Sequence, residues 1–240
     1  VYVIANQNGI KEMLEYSGKK NIDVNNLMIL GGSRIAIHLA TELERFMNVK
    51  LIEVDPEKSE KLAAQFKNAL VINGDGRDTD LLMEEGLQYM DAFVAVTGNS
   101  ETNILSCIIA KRMGVKKTIA EIENINYIRL AESIGVDTVI NKKLITASRI
   151  FRYTMSTDVS TIKCLTGSDA EVLEFIVKPG APITKGKLKD IGFPKDAIVG
   201  GVVRGDNAFI AKGDTEIKPY DRVVVFALPT AINKVGKYFN

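Results

Sequence analysis

Residues 27–36 are Leu-Met-Ile-Leu-Gly-Gly-Ser-Arg-Ile-Ala, and this stretch decides the fold. Its four leading apolar residues predict a buried strand, which the two glycines end. Gly31, Ser33 and Ala36 occupy the three small-residue positions of the dinucleotide fingerprint, in which a tight turn joins a strand to a helix. The start of such a helix favours phosphate, because its N–H groups are free and its dipole is positive there. The residues expected to contact a nucleotide in this turn are Gly31, Gly32, Ser33, Arg34 and Ile35.

Ser33 departs from the fingerprint. Its side chain stands where the backbone should approach the phosphates closely, so we expect binding to be weakened or altered through the hydroxyl.

Strands and helices alternate on the C-terminal side of this turn. Apolar runs predict strands at residues 27–30, 49–54, 69–72, 92–96, 118–121 and 138–140. Amphipathic stretches predict helices at residues 41–46, 59–66, 80–86, 102–113 and 125–134. Alternation with short connections predicts an α/β fold with a Rossmann-type doubly wound parallel sheet.

The pattern changes after Val139. One more helix is predicted at residues 145–155, followed by strands at 172–177, 198–204, 208–211 and 222–228. Five of the six prolines lie in this last third, so turns are concentrated there. A second, smaller, strand-rich α+β domain is expected.

Polar residues lie at the end of three of the predicted strands in the first domain or just after it. Glu53 comes twenty-two residues after Gly31, where an acid accepts hydrogen bonds from the adenosine ribose and repels a 2′-phosphate. This favours NAD(H) or an adenine nucleotide over NADP. Asp75 either lines the adenine side of the cleft or is a turn residue, and the loop from Thr97 to Asn99 is expected to cover the middle of the ligand.

Composition excludes several classes of protein. Lys and Arg total 31 against 30 Asp and Glu, so the net charge of +1 gives no positive electrostatic field that would hold nucleic acid. The sequence also has no helix-turn-helix pattern with a basic face. No apolar run approaches the roughly 20 residues that span a bilayer, so we expect a cytoplasmic chain without direct membrane insertion. Cys107 lies in an apolar helical pattern, which predicts a buried thiol.

An NAD-dependent oxidoreductase is the main alternative, because it shares the Rossmann pattern. It needs a proton donor beside the nicotinamide. The single histidine, His38, is expected on the first helix, packed or facing solvent, and Tyr16 and Lys20 precede the first strand. We therefore expect no catalytic residue.

The two ends of the chain are similar to each other. The first eighteen residues align without a gap to the last eighteen, with identity at Val1/Val223, Val3/Val225, Ala5/Ala227, Ile10/Ile232 and Tyr16/Tyr238. The alternative is chance similarity of a strand and helix pair. The repeat predicts a piece of a tandem protein, with residues 1–22 as the tail of a preceding domain, 23–157 as the nucleotide-binding domain and 158–240 as the second domain.

Taken together, these residues resemble the TrkA family, whose units join an RCK_N (or KTN) domain to an RCK_C domain. In the first domain the resemblance rests on MILGGSRIA (28–36), LIEVD (51–55), NGDGRDTDLLMEEG (73–86), AVTGNSETN (95–103) and the pairing of IAEIEN (119–124) with LAESIGVDTVI (130–140). In the second it rests on residues 171–205 and on IAKGDTEIKPYDRVVVF (210–226).

The resemblance implies a regulatory subunit that binds NAD(H) or ATP and ADP and adjusts potassium flux through a separate potassium-translocating membrane protein. It implies nucleotide contacts at Gly31, Arg34, Glu53, Asp75 and Thr97. It also implies a homo-oligomer or tandem-unit assembly, paired through the helix at residues 145–155. The alternative is that the apolar face of this helix packs only on its own sheet. The residues that offer apolar area beyond the need of a crossover linker are Ile145, Ser148, Ile150, Phe151 and Met155. Relatives fused to calcium-gated channels use carboxylates near Glu121 and Glu123, but Thr97 stands about where another ligand should be, so no metal site is expected here.

Overall fold

The computed structural model describes residues 7–16, 23–154, 159–164 and 170–240. Contacts divide the chain into two compact units. One unit is residues 22–143, and the other joins residues 144–240 with the segment 1–21. A helix, α1 (Gln7–Tyr16), lies in that N-terminal segment.

The first unit is built on a six-stranded parallel sheet with the strand order β3-β2-β1-β4-β5-β6. Its strands are β1 (Asn26–Leu30), β2 (Asn48–Glu53), β3 (Leu70–Asn73), β4 (Ala92–Ala95), β5 (Lys117–Glu121) and β6 (Thr138–Ile140). The order reverses between β1 and β4, which pair in parallel at the centre of the sheet. In doubly wound sheets such a reversal opens a crevice at the carboxyl ends of the strands.

Helices cover both faces of this sheet. The central strand β1 therefore buries alternate side chains on opposite sides. Met28 and Leu30 pack in one apolar core, whereas Leu27 and Ile29 pack in the other. Each fully buried apolar side chain of this size contributes about 1.5–3 kcal/mol. These helices are α2 (Arg34–Leu43), α3 (Pro56–Gln65), α4 (Thr79–Glu84), α5 (Ser100–Arg112) and α6 (Ile125–Ser133). A further helix, α7 (Lys142–Thr154), follows β6 in the chain.

Five of these helices begin with a capping side chain that accepts a backbone N–H of the first turn. The caps are Ser33, Asp55, Asp78, Asn99 and Asn124. Such a cap contributes about 1 kcal/mol, and it fixes the residue at which the chain turns from loop to helix. The loops at the carboxyl edge of the sheet are therefore short and defined.

The second unit contains a five-stranded antiparallel sheet with the order β10-β9-β11-β8-β7. Its elements are β7 (Val159–Cys164), β8 (Glu171–Ile176), β9 (Ala197–Arg204), β10 (Asn207–Ile210), β11 (Arg222–Ala227) and α8 (Ile232–Gly236). Phe175 and Phe239 stack at 4.2 Å between ring centroids in its core. Arg204 holds the buried Asp221 with two hydrogen bonds, of 2.8 and 2.7 Å.

The predicted fold class is confirmed, and the bounds of the ten predicted strands agree within one residue, whereas β7 was not among them. The first helix runs from Arg34 to Leu43, so it begins at the turn of the fingerprint, whereas the amphipathic pattern marked only residues 41–46. Ser33 starts it, and its buried positions are the small Ala36 and Ala40, which carry little apolar signal. The helix predicted at residues 145–155 begins at Lys142, and Met155 lies outside the described residues, as do Val1, Val3 and Ala5.

The predicted domain boundaries stay predictions. The first compact unit ends at Lys143, whereas the sequence placed the end of the nucleotide-binding domain at residue 157.

Candidate functional site

A cleft of about 360 Å³ lies at the carboxyl edge of the parallel sheet, at the reversal between β1 and β4. It is formed by the loops that follow β1, β2, β3 and β4. The lining residues are Leu30, Gly31, Gly32, Ser33, Ile52, Glu53, Val54, Lys58, Gly74, Asp75, Gly76, Arg77, Thr97, Gly98, Asn99 and Thr102.

Two adjacent glycines form the floor of the cleft. Gly31 has φ +94°, and its N–H donates to the Ile52 carbonyl at 2.8 Å. A Cβ on Gly31 would lie 2.9 Å from Thr97 Cγ2, and one on Gly32 would lie 2.6 Å from Glu53 Oε2. The turn therefore requires glycine at Gly31, for backbone conformation as well as for space, whereas a Cβ at Gly32 would displace the Glu53 carboxylate.

The start of α2 faces this turn. Ser33 Oγ accepts the Ala36 N–H at 3.3 Å, so the hydroxyl caps its own helix. The N–H groups of Arg34 and Ile35 lie in the first turn, where the helix dipole favours an anion. The Arg34 side chain is exposed and does not line the cleft, whereas the Ile35 side chain packs against the apolar core.

Glu53 is the buried acid of the cleft, with 5% of its surface exposed. Oε2 accepts the Gly32 N–H at 2.7 Å, and Oε1 accepts the Asp55 N–H at 3.0 Å. Lys58 Nζ lies 2.8 Å from Oε2. Burial raises the pKa of the carboxyl, but the hydrogen bonds from Asp55, Lys58 and Gly32 outweigh it and hold the pKa below its ordinary value.

Asp75 is held by Arg77 in a bidentate ion pair. Arg77 Nε donates to Asp75 Oδ1 at 3.0 Å, and Nη2 donates to Oδ2 at 2.6 Å. These bonds, with the backbone N–H of Arg77, hold the pKa of Asp75 below its ordinary value. The guanidinium remains mostly exposed, with 71% of the side chain in contact with solvent.

The loop from Thr97 to Asn99 is held from behind by Asn103, which is 1% exposed. Asn103 Oδ1 accepts from the Thr97 hydroxyl at 2.6 Å and from the Thr97 N–H at 3.1 Å. Its Nδ2 donates to the carbonyls of Thr97 and Glu121. Asn99 Oδ1 accepts the Thr102 N–H at 2.7 Å, so its side chain caps α5.

The cleft therefore brings together most of the residues that the sequence singled out. They are Gly31, Gly32, Ser33, Glu53, Asp75, Thr97 and Asn99. The side chains of Arg34 and Ile35 lie elsewhere. Sequence reasoning missed Lys58, Arg77 and Asn103, although Lys58 follows the strand acid by five residues and Arg77 follows Asp75 by two.

The sequence also singled out groups that could perform other chemistry, and of these His38 and Cys107 do not line this cleft. His38 is exposed on α2 and does not line the cleft. Cys107 is buried, as predicted, and burial raises the pKa of its thiol to about 12. Tyr16 is 93% exposed at the end of α1, and Lys20 lies outside the described residues.

The carboxylates at the end of β5 and just after it are paired with lysines. Glu121 is 2% exposed, and the Lys142 ammonium lies 2.5 Å from its Oε1. Lys143 lies 3.6 Å from Glu123. Within the described residues, no group of three or more His, Cys, Asp or Glu side chains is placed to hold a metal ion. None of the helices in the same ranges has the length and hydropathy needed to cross a membrane.

The doubly wound sheet, the glycine turn and the acid at the end of β2 define a Rossmann-type domain of the dinucleotide-binding class, which a separate antiparallel unit accompanies. Residues 27–142 match the TrkA-N domain, and residues 172–240 match the TrkA-C domain. The chain belongs to the TrkA family.

Proteins from both archaea and bacteria are similar to this chain. It is 32% identical to "Trk system potassium uptake protein TrkA homolog 2" of Methanosarcina mazei, over 99% of this chain and 53% of that protein. It is 33% identical to "Trk system potassium uptake protein TrkA" of Vibrio alginolyticus, over 94% of this chain and 50% of that protein. The chain thus spans about half the length of these relatives.

Solved structures of RCK proteins share the fold. The "GsuK channel bound to NAD" superposes with a TM-score of 0.57 at 14% identity, over 97% of this chain and 45% of that chain. The "GsuK Channel" superposes with a TM-score of 0.58 at 14% identity, over 96% of this chain and 43% of that chain.

Proposed function

We propose that this chain is the nucleotide-sensing part of a regulator of potassium uptake. Its cleft binds one adenine nucleotide, either NAD(H) or ATP and ADP, and occupancy adjusts potassium flux through a separate membrane protein. The chain performs no catalysis of its own and works at the cytoplasmic side of the membrane, in a homo-oligomer or a tandem-unit assembly.

The observation that carries the proposal is the position of Glu53. Its buried, ionised carboxylate stands beside the glycine turn, and the start of α2 lies on the other side of that turn. A nucleotide presents its ribose hydroxyls next to its phosphates, so an acceptor beside an anion site matches both groups. The names of the relatives support a role in potassium uptake, and the name of one structural neighbour supports NAD as a ligand.

Regulation requires that the ligand bind two arrangements of the protein with different affinity. A ligand that binds both equally does not shift the equilibrium between them. Ligands that share adenosine differ at the phosphate or nicotinamide end. That end would lie near Ser33, the start of α2 and the loop from Thr97 to Asn99. We therefore assign discrimination between ligands to this side of the cleft and general affinity to the side of Glu53.

Titration calorimetry of the full chain with NAD, NADH, ATP and ADP tests the binding. At least one ligand is expected to bind with one site per chain, and potassium flux through the partner in vesicles is expected to respond to that ligand. Binding of none of the four would refute the proposal. Turnover of NADH with a carbonyl substrate would instead favour the oxidoreductase alternative.

A further inference from the structure

A lysine ammonium already occupies part of the acceptor that the ribose would use. Lys58, in the first turn of α3, places Nζ 2.8 Å from Glu53 Oε2. Its Cε lies 3.2 Å from the point where a Cβ on Gly32 would stand, so the lysine stem covers the glycine turn. The side chain is 45% exposed, and Lys58 lines the cleft.

The acceptor capacity of Glu53 is almost filled in this arrangement. A carboxylate offers about four lone-pair sites. The Gly32 N–H and Lys58 use Oε2, and the Asp55 N–H uses Oε1, so one site on Oε1 remains. A ribose that donates both of its hydroxyls needs two sites.

Lys58 is the donor that has freedom to move. The other two donors are backbone N–H groups, fixed by the glycine turn and by the end of β2. The ammonium is carried on a flexible four-carbon stem at the solvent-facing rim. An unsubstituted ribose therefore competes with Lys58 for Glu53.

The same ammonium changes how the cleft meets a phosphate on the ribose. A lone Glu53 carboxylate would repel a 2′-phosphate, as the sequence predicted. With Lys58 beside Glu53, such a phosphate meets a cation and the start of α3. The negative charge of Asp55, which would repel the phosphate, is engaged in capping that helix.

We propose that Lys58 determines the selectivity of the cleft at the ribose: it competes with an unsubstituted ribose for Glu53 and attracts a ribose 2′-phosphate. The inference rests on the proposed function, because it concerns the same cleft. Its consequence is that the cleft discriminates against 2′-phosphorylated nucleotides less than its buried acid alone would.

The test is titration calorimetry of the full chain with AMP and with adenosine 2′,5′-bisphosphate. These two probes differ only by the 2′-phosphate, and AMP is common to all the proposed ligands. Lys58→Met keeps the stem and removes the charge. It is expected to bind AMP at least as tightly as the original chain, and to bind the bisphosphate about tenfold more weakly.

Two further variants make the test specific. Lys58→Arg retains the charge and is expected to keep the original ratio of the two affinities. Lys61→Met removes an exposed lysine from the same helix, outside the cleft, and is expected to leave both affinities unchanged. Circular dichroism establishes that every variant is folded.

The outcomes separate this inference from the proposed function. If the original chain binds AMP but Lys58→Met leaves the ratio unchanged, or weakens both probes by one factor, the role of Lys58 is refuted and the proposed function stands. If the original chain binds neither these probes nor NAD, NADH, ATP or ADP, both are refuted.

Discussion

Replacing Glu53 by glutamine is expected to destabilise the first unit without changing its fold. The carboxylate accepts the Gly32 N–H through one oxygen and the Asp55 N–H through the other, at 2.7 and 3.0 Å. Glutamine has a single acceptor oxygen, so its amino group must face one of these N–H groups. A buried donor then loses its partner, which costs about 1–3 kcal/mol. Lys58 is nearly half exposed, so loss of its ion pair adds little.

Urea unfolding of the full chain, followed by far-ultraviolet circular dichroism, measures this difference near neutral pH. Glu60→Gln is the matched control, because Glu60 is exposed on α3. It is expected to change the free energy of unfolding by no more than about 0.5 kcal/mol. Equal stability of Glu53→Gln and the control would refute the hydrogen-bonding role of Glu53.

The effect of Glu53→Gln should also depend on pH, with a defined sign. The folded pKa of Glu53 is depressed below its ordinary value of 4.5, because the hydrogen bonds from Asp55, Lys58 and Gly32 exceed the opposing effect of burial. The ionised group therefore contributes stability above about pH 4.5, and this contribution is lost as the pH falls through the lower, folded pKa. The stability difference between the original chain and Glu53→Gln should shrink over that range. A difference that stays constant as the pH falls would contradict the assignment.

Two further substitutions test the cleft and the assembly. Gly32→Ala places a Cβ 2.6 Å from Glu53 Oε2, so the carboxylate must shift, and nucleotide affinity measured by calorimetry should fall at least about tenfold. Gly186→Ala is its control, because Gly186 does not line the cleft and its Cβ would meet only Ile191 Cγ2, at 3.8 Å. Equal affinities of the two variants would contradict the close approach. Ile150→Asp on α7 replaces a side chain that is 58% exposed in the single chain, and if α7 pairs two units, this charge should yield monomers in light scattering. Phe46→Asp, at a residue that is 78% exposed after α2, is its control, and an oligomer that survives Ile150→Asp would exclude pairing through that residue.

Helix α7, through which the sequence predicts that units pair, is only partly described by the structure. The sequence singled out Phe151 and Met155 on it, but Met155 and the side chain of Phe151 lie outside the part of the chain that the structure describes. Ile145 and Ile150 are described, and each is 58% exposed. The pairing of units through α7 thus remains a prediction that Ile150→Asp tests.

The sequence by itself determined the fold class and the elements, because local patterns encode both. The apolar runs of β1 and β4 are continuous, since a parallel sheet covered on two sides buries both faces. The sequence predicted the glycine turn because a single short segment contains all of its residues. It predicted Glu53 because an acid at the end of the second strand follows such a turn at a characteristic spacing. The amphipathic pattern marked only residues 41–46 for the first helix, because the small Ala36 and Ala40 bury its face with little apolar signal.

Only the tertiary structure decided how the charges of the cleft are paired. Lys58 follows Glu53 by five residues, yet nothing in that spacing requires its ammonium to fold back onto the acid across the glycine turn. Asn103 holds the Thr97 loop through bonds that also reach the Glu121 carbonyl on a different strand. Such pairings depend on where separate strands end relative to one another in space. A sequence specifies that arrangement only through the packing of the whole sheet, so no local pattern reveals it.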